Sequence, residues 1–239
     1  MLRAILILSM ALAATAPARA AERVATAIVF AVDVSGSVDT ARYELQRAGI
    51  AAIFTDPDVA DLLHEGLAVA LMEWSDQPTV VVPWTILRTP ADAGALARRV
   101  TAVARAEGYS TALSLALLAA AKLLDQCPCD AATRVIDVSG DGPNNGPIST
   151  PIARAEVAAR GIRINGLPIV TPAEPDLAEW YRANVVGGPG GFLEVANGFE
   201  DFARAMRRKF RIEVSARPPA RALPGGAIRL AEPAVAGAP

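Results

Sequence analysis

The sequence has few of the residues on which many protein chemistries depend. It contains two cysteines and one histidine among 239 residues, and 25 Asp and Glu outnumber 23 Lys and Arg. Two cysteines cannot build a disulfide-rich scaffold, and a slightly acidic chain lacks the basic excess of nucleic-acid binders. A single histidine limits the enzyme chemistries that need imidazole. The 52% of apolar residues excludes a wholly disordered chain and predicts one ordinary domain.

The first 20 residues have the three-part pattern of a secretory signal peptide. Arg3 precedes an apolar stretch at residues 4–14, and Ala18-Arg19-Ala20 has the small-x-small pattern of a signal-peptidase site. This stretch is too short to cross a bilayer, which needs about 20 apolar residues. We expect residues 1–20 to be removed and the protein to be periplasmic or secreted. The alternative is an uncleaved N-terminal helix.

The last segment differs in composition from the rest of the chain. Pro, Ala and Gly dominate residues 215–239, and no hydrophobic period is sustained there. This composition is typical of a disordered tail. An alternative is a short docking segment at residues 227–230. The predicted globular domain is therefore residues 22–214.

Between these ends, apolar runs alternate with amphipathic stretches. Short runs predict strands at residues 25–32, 67–74, 79–86, 134–138, 162–170 and 191–195. Helical spacing predicts helices at residues 41–53, 91–106, 111–124, 151–160, 176–184 and 199–210. Pro83 cannot donate to a ladder, so its strand is expected at an edge, in an antiparallel hairpin. The alternation predicts a three-layer, doubly wound, Rossmann-like α/β sandwich with a mostly parallel sheet and one antiparallel edge strand.

Oxygen-bearing side chains follow several of these elements. Asp33, Ser35 and Ser37 come directly after the first strand. Thr111 precedes an apolar helix, and Asp141 follows the fourth strand. Because the carboxyl ends of parallel strands share one edge of the sheet, we expect these side chains to converge. Carboxylate and hydroxyl oxygens suit Mg²⁺, Mn²⁺ or Ca²⁺ rather than zinc or copper.

This pattern resembles the von Willebrand factor type A domain. Asp33-x-Ser35-x-Ser37 after an apolar strand is similar to the DxSxS signature of that family. Thr111 matches the threonine of a later loop, and Asp141 matches the acid after the fourth strand. These five residues are the metal ligands that the resemblance implies.

The resemblance covers residues 25–212 and implies a metal-ion-dependent adhesion site. In such a site a divalent ion binds an Asp or Glu carboxylate of a protein partner, without catalytic residues. The segments Glu73-Trp74, Pro83–Thr85 and Asp141–Asn145 are similar to an uncharacterised bacterial group of exported, stand-alone domains of this type. We therefore expect a binding module with a protein partner, not an enzyme or a nucleic-acid binder.

The sequence departs from the family pattern at two places. Tyr109-Ser110 stand where the family commonly has two glycines. Asp137 lies in the fourth strand and rivals Asp141 for the acidic position, although Asp141 is favoured because it lies in a loop.

A hydrolase is the alternative function. The segment around Ser110 partly matches the G-x-S-x-G nucleophile elbow, but Ala112 replaces the last glycine. His64, the one histidine, precedes this serine, whereas in that enzyme class the histidine comes last. The fit is poor.

Several other residues leave open alternatives. Glu73 is either a base that acts on metal-bound water or a satisfied strand-end carboxylate. Cys127 and Cys129 either pair with each other or remain free thiols. Asn144 and Asn145 are predicted as turn residues that tolerate left-handed backbone, with a role in lining the site as the alternative. Basic residues at the end of the last helix are expected to be solvated: Arg207, Arg208, Lys209 and Arg211.

Overall fold

The computed structural model describes residues 21–60 and 62–215, which contain one six-stranded sheet. The strands are β1 (Glu22–Asp33), β2 (Leu67–Trp74), β3 (Pro78–Leu87), β4 (Cys129–Gly140), β5 (Arg163–Val170) and β6 (Ala196–Asn197). Their order is β3-β2-β1-β4-β5-β6. The β2–β3 pair is antiparallel and the other pairs are parallel. The predicted sheet, with its antiparallel edge strand, is therefore confirmed.

Helices cover both faces of the sheet and complete the predicted three layers. They are α1 (Thr40–Ile53), α2 (Pro57–Ala60), α3 (Pro90–Ala102), α4 (Leu113–Asp125), α5 (Thr150–Ala159), α6 (Leu177–Asn184) and α7 (Phe202–Ser215). Side chains alternate along β1, so Phe30 packs with α1 and α7, whereas Val29 packs with α4 and α6. We call these the α7 face and the α4 face. A strand that is apolar at successive positions can bury both faces, which explains the central place of β1.

Several elements differ from their predicted bounds. No strand occupies residues 191–195 in the described chain, although Leu193 forms a bridge with Gly166 before β6 begins at Ala196. Helix α3 ends at Ala102 instead of residue 106, and Arg47 binds the carbonyl of Val100 in its last turn. Strand β4 begins at Cys129, earlier than predicted, because β1 pairs along its whole length with β4.

A disulfide joins Cys127 to Cys129 where β4 begins. Of the two alternatives left open by the sequence, the structure has the paired one.

The predicted signal peptide at residues 1–20 and residues 216–239 of the predicted tail lie outside the described residues. Helix α7 continues to Ser215, the first residue of that tail. Among the described helices, none has both the length and the apolar character needed to cross a membrane.

Candidate metal site

The predicted ligands lie at the carboxyl edge of the sheet, where the strand order reverses. Strand β1 has β2 on one side and β4 on the other, and this switch leaves a crevice at the ends of β1 and β4. Asp33 is the last residue of β1, and Asp141 follows Gly140, the last residue of β4. The topology thus brings together two acids that are far apart in the sequence.

The loop after β1 is held in place by its neighbours. Asp33 Oδ1 accepts a hydrogen bond from Ser35 N at 2.7 Å. Gln46 Nε2 on α1 donates to the carbonyl oxygen of Asp33 at 3.0 Å. Arg105 Nη2 donates to carbonyl oxygens of the same loop. The backbone around the DxSxS segment is therefore fixed by side chains outside that segment.

The serine hydroxyls connect this loop to Asp141. Ser37 Oγ donates to Asp141 Oδ1 at 2.6 Å, and Ser35 Oγ lies 3.3 Å from Ser37 Oγ. Thr111 lines the same cavity, which has a volume of about 530 Å³. Of the five predicted ligands, Ser37, Thr111 and Asp141 line this cavity. Asp33 and Ser35 are buried and connect to it through Ser37.

Two asparagines position Thr111. Asn145 Oδ1 accepts from Thr111 N at 2.7 Å, and Asn145 N donates to the Thr111 carbonyl at 3.0 Å. Asn144 Oδ1 accepts from Ser114 N and Oγ in the first turn of α4. No described non-glycine residue has positive φ, so the predicted left-handed role of these asparagines is wrong. They hold two loops together instead.

Ser110 is held at the rim by a different acid. Asp76 accepts from Tyr109 N at 3.0 Å and from Ser110 N at 2.8 Å. Hydrogen bonding from the Ser110 side chain, followed by these two backbone groups, lowers the pKa of Asp76. His64 lies in a short 3₁₀ helix that precedes β2, and β2 is parallel to β1. It is therefore at the opposite edge of the sheet from Ser110. The two residues required by the hydrolase alternative do not meet.

The buried Asp33 carboxylate has an incomplete set of hydrogen-bond donors. Burial raises the pKa of Asp33 to about 7; hydrogen bonds from Ser35 oppose this shift, and the charge of Asp141 adds to it. Asp33 Oδ2 is buried without a hydrogen-bond partner in the described part of the chain, and so is the Tyr181 hydroxyl. A methyl group at Gly140 would lie 2.7 Å from each of these oxygens, so only glycine fits there.

The donor set fits a hard divalent cation. Its members are two carboxylates and three hydroxyls, without sulfur or nitrogen. The unpartnered Asp33 Oδ2 is a buried acceptor that a cation would satisfy. Across the described residues, no group of three or more His, Cys, Asp or Glu side chains is arranged to hold a metal. A site at this crevice therefore depends on its hydroxyls.

Glu73 lies at the end of β2 but is fully engaged by the protein. Its Oε1 accepts from the Tyr43 hydroxyl at 2.6 Å, and its Oε2 accepts from Ala106 N at 2.7 Å. Glu73 is 1% exposed. Of its two predicted roles, the geometry matches the satisfied carboxylate.

Asp137 lies on the α7 face and not in the crevice. Lys209 Nζ lies 2.5 Å from Asp137 Oδ1 and 2.6 Å from Glu213 Oε1, and all three side chains are buried. Asn165 Nδ2 donates to the same Glu213 oxygen at 2.6 Å. The prediction that Lys209 is solvated is therefore wrong. The reason is that its place on α7 faces the sheet, whereas Arg207 points outward.

Sequence reasoning missed the residues that hold the site loops. Asp76 and Arg105 occur in loops without a recognisable motif. Gln46 had a usable signal, because it lies between Tyr43 and Ile50 on the buried face of α1. A polar side chain on an apolar helix face needs a buried partner, which here is the carbonyl of Asp33.

Solved structures with a similar fold are von Willebrand factor type A domains. One from Catenulispora acidiphila is 18% identical, with a TM-score of 0.52 over 80% of this chain and 42% of its own. The vWF domain of the type V pili tip protein Mfa5 from Porphyromonas gingivalis is 9% identical, with a TM-score of 0.57 over 80% and 97%. Proximal thread matrix protein 1 from mussel byssus, with a zinc-occupied MIDAS motif, is 17% identical, with a TM-score of 0.56 over 81% and 47%. This chain thus spans less than half of the thread matrix protein.

The fold class and the family can now be stated. The chain has a von Willebrand factor type A fold, as the sequence resemblance predicted. A family model described as "Protein of unknown function (DUF1194)" matches residues 23–218. The chain belongs to the DUF1194 family. Among curated proteins, none matches the sequence.

Proposed function

We propose that this protein is an exported binding module that holds a divalent cation and captures an acidic side chain of a partner protein. The proposed metal ligands are Asp33, Ser35, Ser37, Thr111 and Asp141. The observation that carries the proposal is the chain of hydrogen bonds from Asp33 through Ser35 and Ser37 to Asp141, at a cavity that Thr111 also lines. Asp33 Oδ2 is left without a hydrogen-bond partner in the described chain.

The residues of the crevice have separate roles in this proposal. Asp33 and Asp141 supply negative charge, and the hydroxyls of Ser35, Ser37 and Thr111 supply neutral oxygens. A bound Mg²⁺, Mn²⁺ or Ca²⁺ would supply positive charge and an open coordination position. A carboxylate oxygen from outside the protein is a hard donor that could take this open position.

The rim of the crevice offers an anchor for a protein partner. Tyr109 is 87% exposed, and its carbonyl accepts from Gly36 N at 3.1 Å, between the two serines of the metal-binding loop. Exposed aromatic side chains on a fixed backbone are frequent hot spots of protein interfaces. This arrangement supports a partner that is a protein.

The comparisons support the same reading. One structure with this fold has zinc in its MIDAS motif, and others are a pilus adhesin, SpaC from Lactobacillus rhamnosus GG, and a pili tip protein. For this chain we propose removal of residues 1–20, a binding domain at residues 22–214 and a C-terminal tail at residues 215–239. Export would place the domain where adhesion partners occur.

Calorimetric titration tests the metal site directly. The chelator-stripped protein would be titrated with Mg²⁺, Mn²⁺, Ca²⁺ and Zn²⁺, together with Asp33→Asn and the matched control Asp137→Asn. We expect Asp33→Asn to weaken binding at least about tenfold, because a charged ligand is lost. Asp137→Asn removes a buried acid from the other face and should keep the wild-type affinity. Equal affinities in all three proteins would refute the assignment.

A further inference from the structure

The cavity beside the candidate ligands is lined by charged residues of both signs. Ser37, Thr111 and Asp141 line one part of it. Arg42 reaches it from α1, and Glu174 reaches it from the loop after β5. A ligand bound at the ion would therefore meet a guanidinium and a carboxylate that belong to the protein.

Arg42 is held in place at this cavity. Its Nη1 donates to the Ser37 carbonyl at 2.7 Å and lies 3.9 Å from Asp141 Oδ2. Its guanidinium also lies over the ring of Phe199, 5.1 Å from the centroid. The side chain is nevertheless 42% exposed, so part of its hydrogen-bonding edge faces the solvent. A guanidinium ordered in advance loses little conformational entropy when it binds a ligand.

We propose that Arg42 is a second recognition element for the partner's carboxylate. One carboxylate oxygen would take the open position at the ion, and the other would accept a hydrogen bond from Arg42. This inference rests on the proposed function and adds the protein group that selects the ligand. The occupant is an Asp or Glu side chain within a peptide segment of a partner protein.

The charges of the cavity support this occupant. A guanidinium is planar and presents donors that match the two oxygens of a carboxylate. The ion and Arg42 together place two positive groups on one side of the cavity. Glu174 also lines the cavity and repels a carboxylate, which favours an orientation toward Arg42.

Two substitutions of opposite charge separate this role from general effects on the cavity. Arg42→Gln removes the positive charge of the guanidinium and keeps a long polar side chain. Glu174→Gln removes the negative charge of the second charged side chain that reaches the cavity. Each variant would be loaded with Mn²⁺ and titrated with the capped peptide acetyl-Gly-Glu-Gly-amide. Release of water from the bound Mn²⁺ would be followed by proton relaxation. The same peptide with Gln in place of Glu, and free acetate, serve as controls.

The two readouts should respond to Arg42→Gln in different ways. Mn²⁺ affinity should stay the same or increase, because a positive charge near Asp141 is removed. Peptide affinity should fall about tenfold, the loss expected for one charge-assisted hydrogen bond. Glu174→Gln should bind the peptide at least as tightly as the wild type. The Gln peptide should not displace water, and acetate should bind more weakly than the Glu peptide.

Each contrary outcome overturns a distinct claim. Equal peptide affinity in Arg42→Gln and wild type removes Arg42 from recognition. Weaker Mn²⁺ binding in Arg42→Gln makes Arg42 a support of the Ser37 loop instead. Acetate that binds as tightly as the peptide overturns the peptide occupant in favour of a small anion. Absence of Mn²⁺ binding in the wild type overturns the proposed function, and this inference with it.

Discussion

Two groups of buried carboxylates, one on the α7 face and one at the carboxyl edge of the sheet, differ in what compensates their charge. On the α7 face, the Lys209 ammonium lies within 2.6 Å of oxygens from both Asp137 and Glu213. At the carboxyl edge, Asp33 and Asp141 bond to backbone N–H and serine hydroxyl groups. Both pairs are buried, but only the first has a buried ammonium between its members.

The difference separates a structural cluster from a candidate binding site. Buried carboxylates cost free energy unless a positive charge or several donors compensate them. The protein itself supplies that charge to Asp137, which makes the cluster part of the α7 packing. Asp33 Oδ2 and both Asp137 oxygens lack a hydrogen-bond partner within the described chain, but only Asp137 has an ammonium beside it. A cation from solution can supply the charge that Asp33 lacks. The predictions below test this contrast.

Removal of the internal cation should have the largest effect. Lys209→Met leaves Asp137 and Glu213 buried together without their ammonium, and we expect a loss of about 3–5 kcal/mol in the free energy of unfolding. Denaturant unfolding at neutral pH measures it. Lys122→Met on the exposed side of α4 is the matched control and should change little. A loss below about 1 kcal/mol in Lys209→Met would contradict the role assigned to this lysine.

The same cluster should make stability depend on pH. Burial, together with the charge of Glu213, raises the pKa of Asp137 to about 8 against the pull of Lys209. A raised pKa means that the folded state favours the protonated acid. Its stabilising contribution is therefore complete below about pH 4, the unfolded value, and is lost as the pH rises to about 8.

The variant Asp137→Asn isolates this contribution. The difference in unfolding free energy between wild type and Asp137→Asn should decline from pH 4 to pH 8 and then level off. We expect a smaller change than in Lys209→Met, because the lysine still compensates one charge. Denaturant unfolding of both proteins at several pH values measures the difference. A difference independent of pH would show that Asp137 is ionised throughout.

At the candidate metal site, the free energy of unfolding should depend on added cation. Saturation with Mg²⁺ at one hundred times its dissociation constant should stabilise the wild type by about 2.7 kcal/mol. Ser37→Ala removes a proposed ligand and should abolish most of this gain. Ser149→Ala, at an exposed serine without a capping bond before α5, should retain it. Thermal unfolding with and without the ion measures the gain, and an equal gain in both variants would exclude Ser37 from the site.

The smallest expected effect concerns the support of Thr111. Asn145→Ala removes the acceptor of Thr111 N, and we expect a loss of about 1 kcal/mol in stability with a few-fold weaker cation binding. Asn184→Ala removes an asparagine hydrogen bond to the Trp180 carbonyl on α6 and should leave cation binding unchanged. For both variants, calorimetric titration measures the cation affinity and denaturant unfolding measures the stability. If Asn145→Ala binds the cation as tightly as the wild type, the hydrogen bond from Thr111 N to Asn145 does not contribute to cation binding.

Much of the fold could be predicted because its signals are local. The apolar run of β1 indicated a strand buried on both faces, and Pro83 indicated the edge position of β3. The segment at residues 191–195 was less predictable, since its pairing depends on Asn165, which binds Phe192 N. The end of α3 similarly depends on Arg47, a residue of another helix.

The candidate site was predictable in part for the same reason. Asp33, Ser35 and Ser37 follow one strand, so their convergence needed no long-range information. From sequence position alone, both Asp137 and Asp141 were candidates for the acidic ligand of the fourth strand, because one lies within that strand and the other directly after it. Side-chain alternation along β4 sends Asp137 to the α7 face, beside Lys209, while Asp141 lies beyond the strand end.

By itself, the sequence determined the order of strands and helices and the supply of oxygen donors at one sheet edge. These properties follow from periodicity and from the shared direction of parallel strands. Tertiary structure decided which acids receive an internal cation. That choice depends on contacts between β4 and α7, which lie far apart in the sequence.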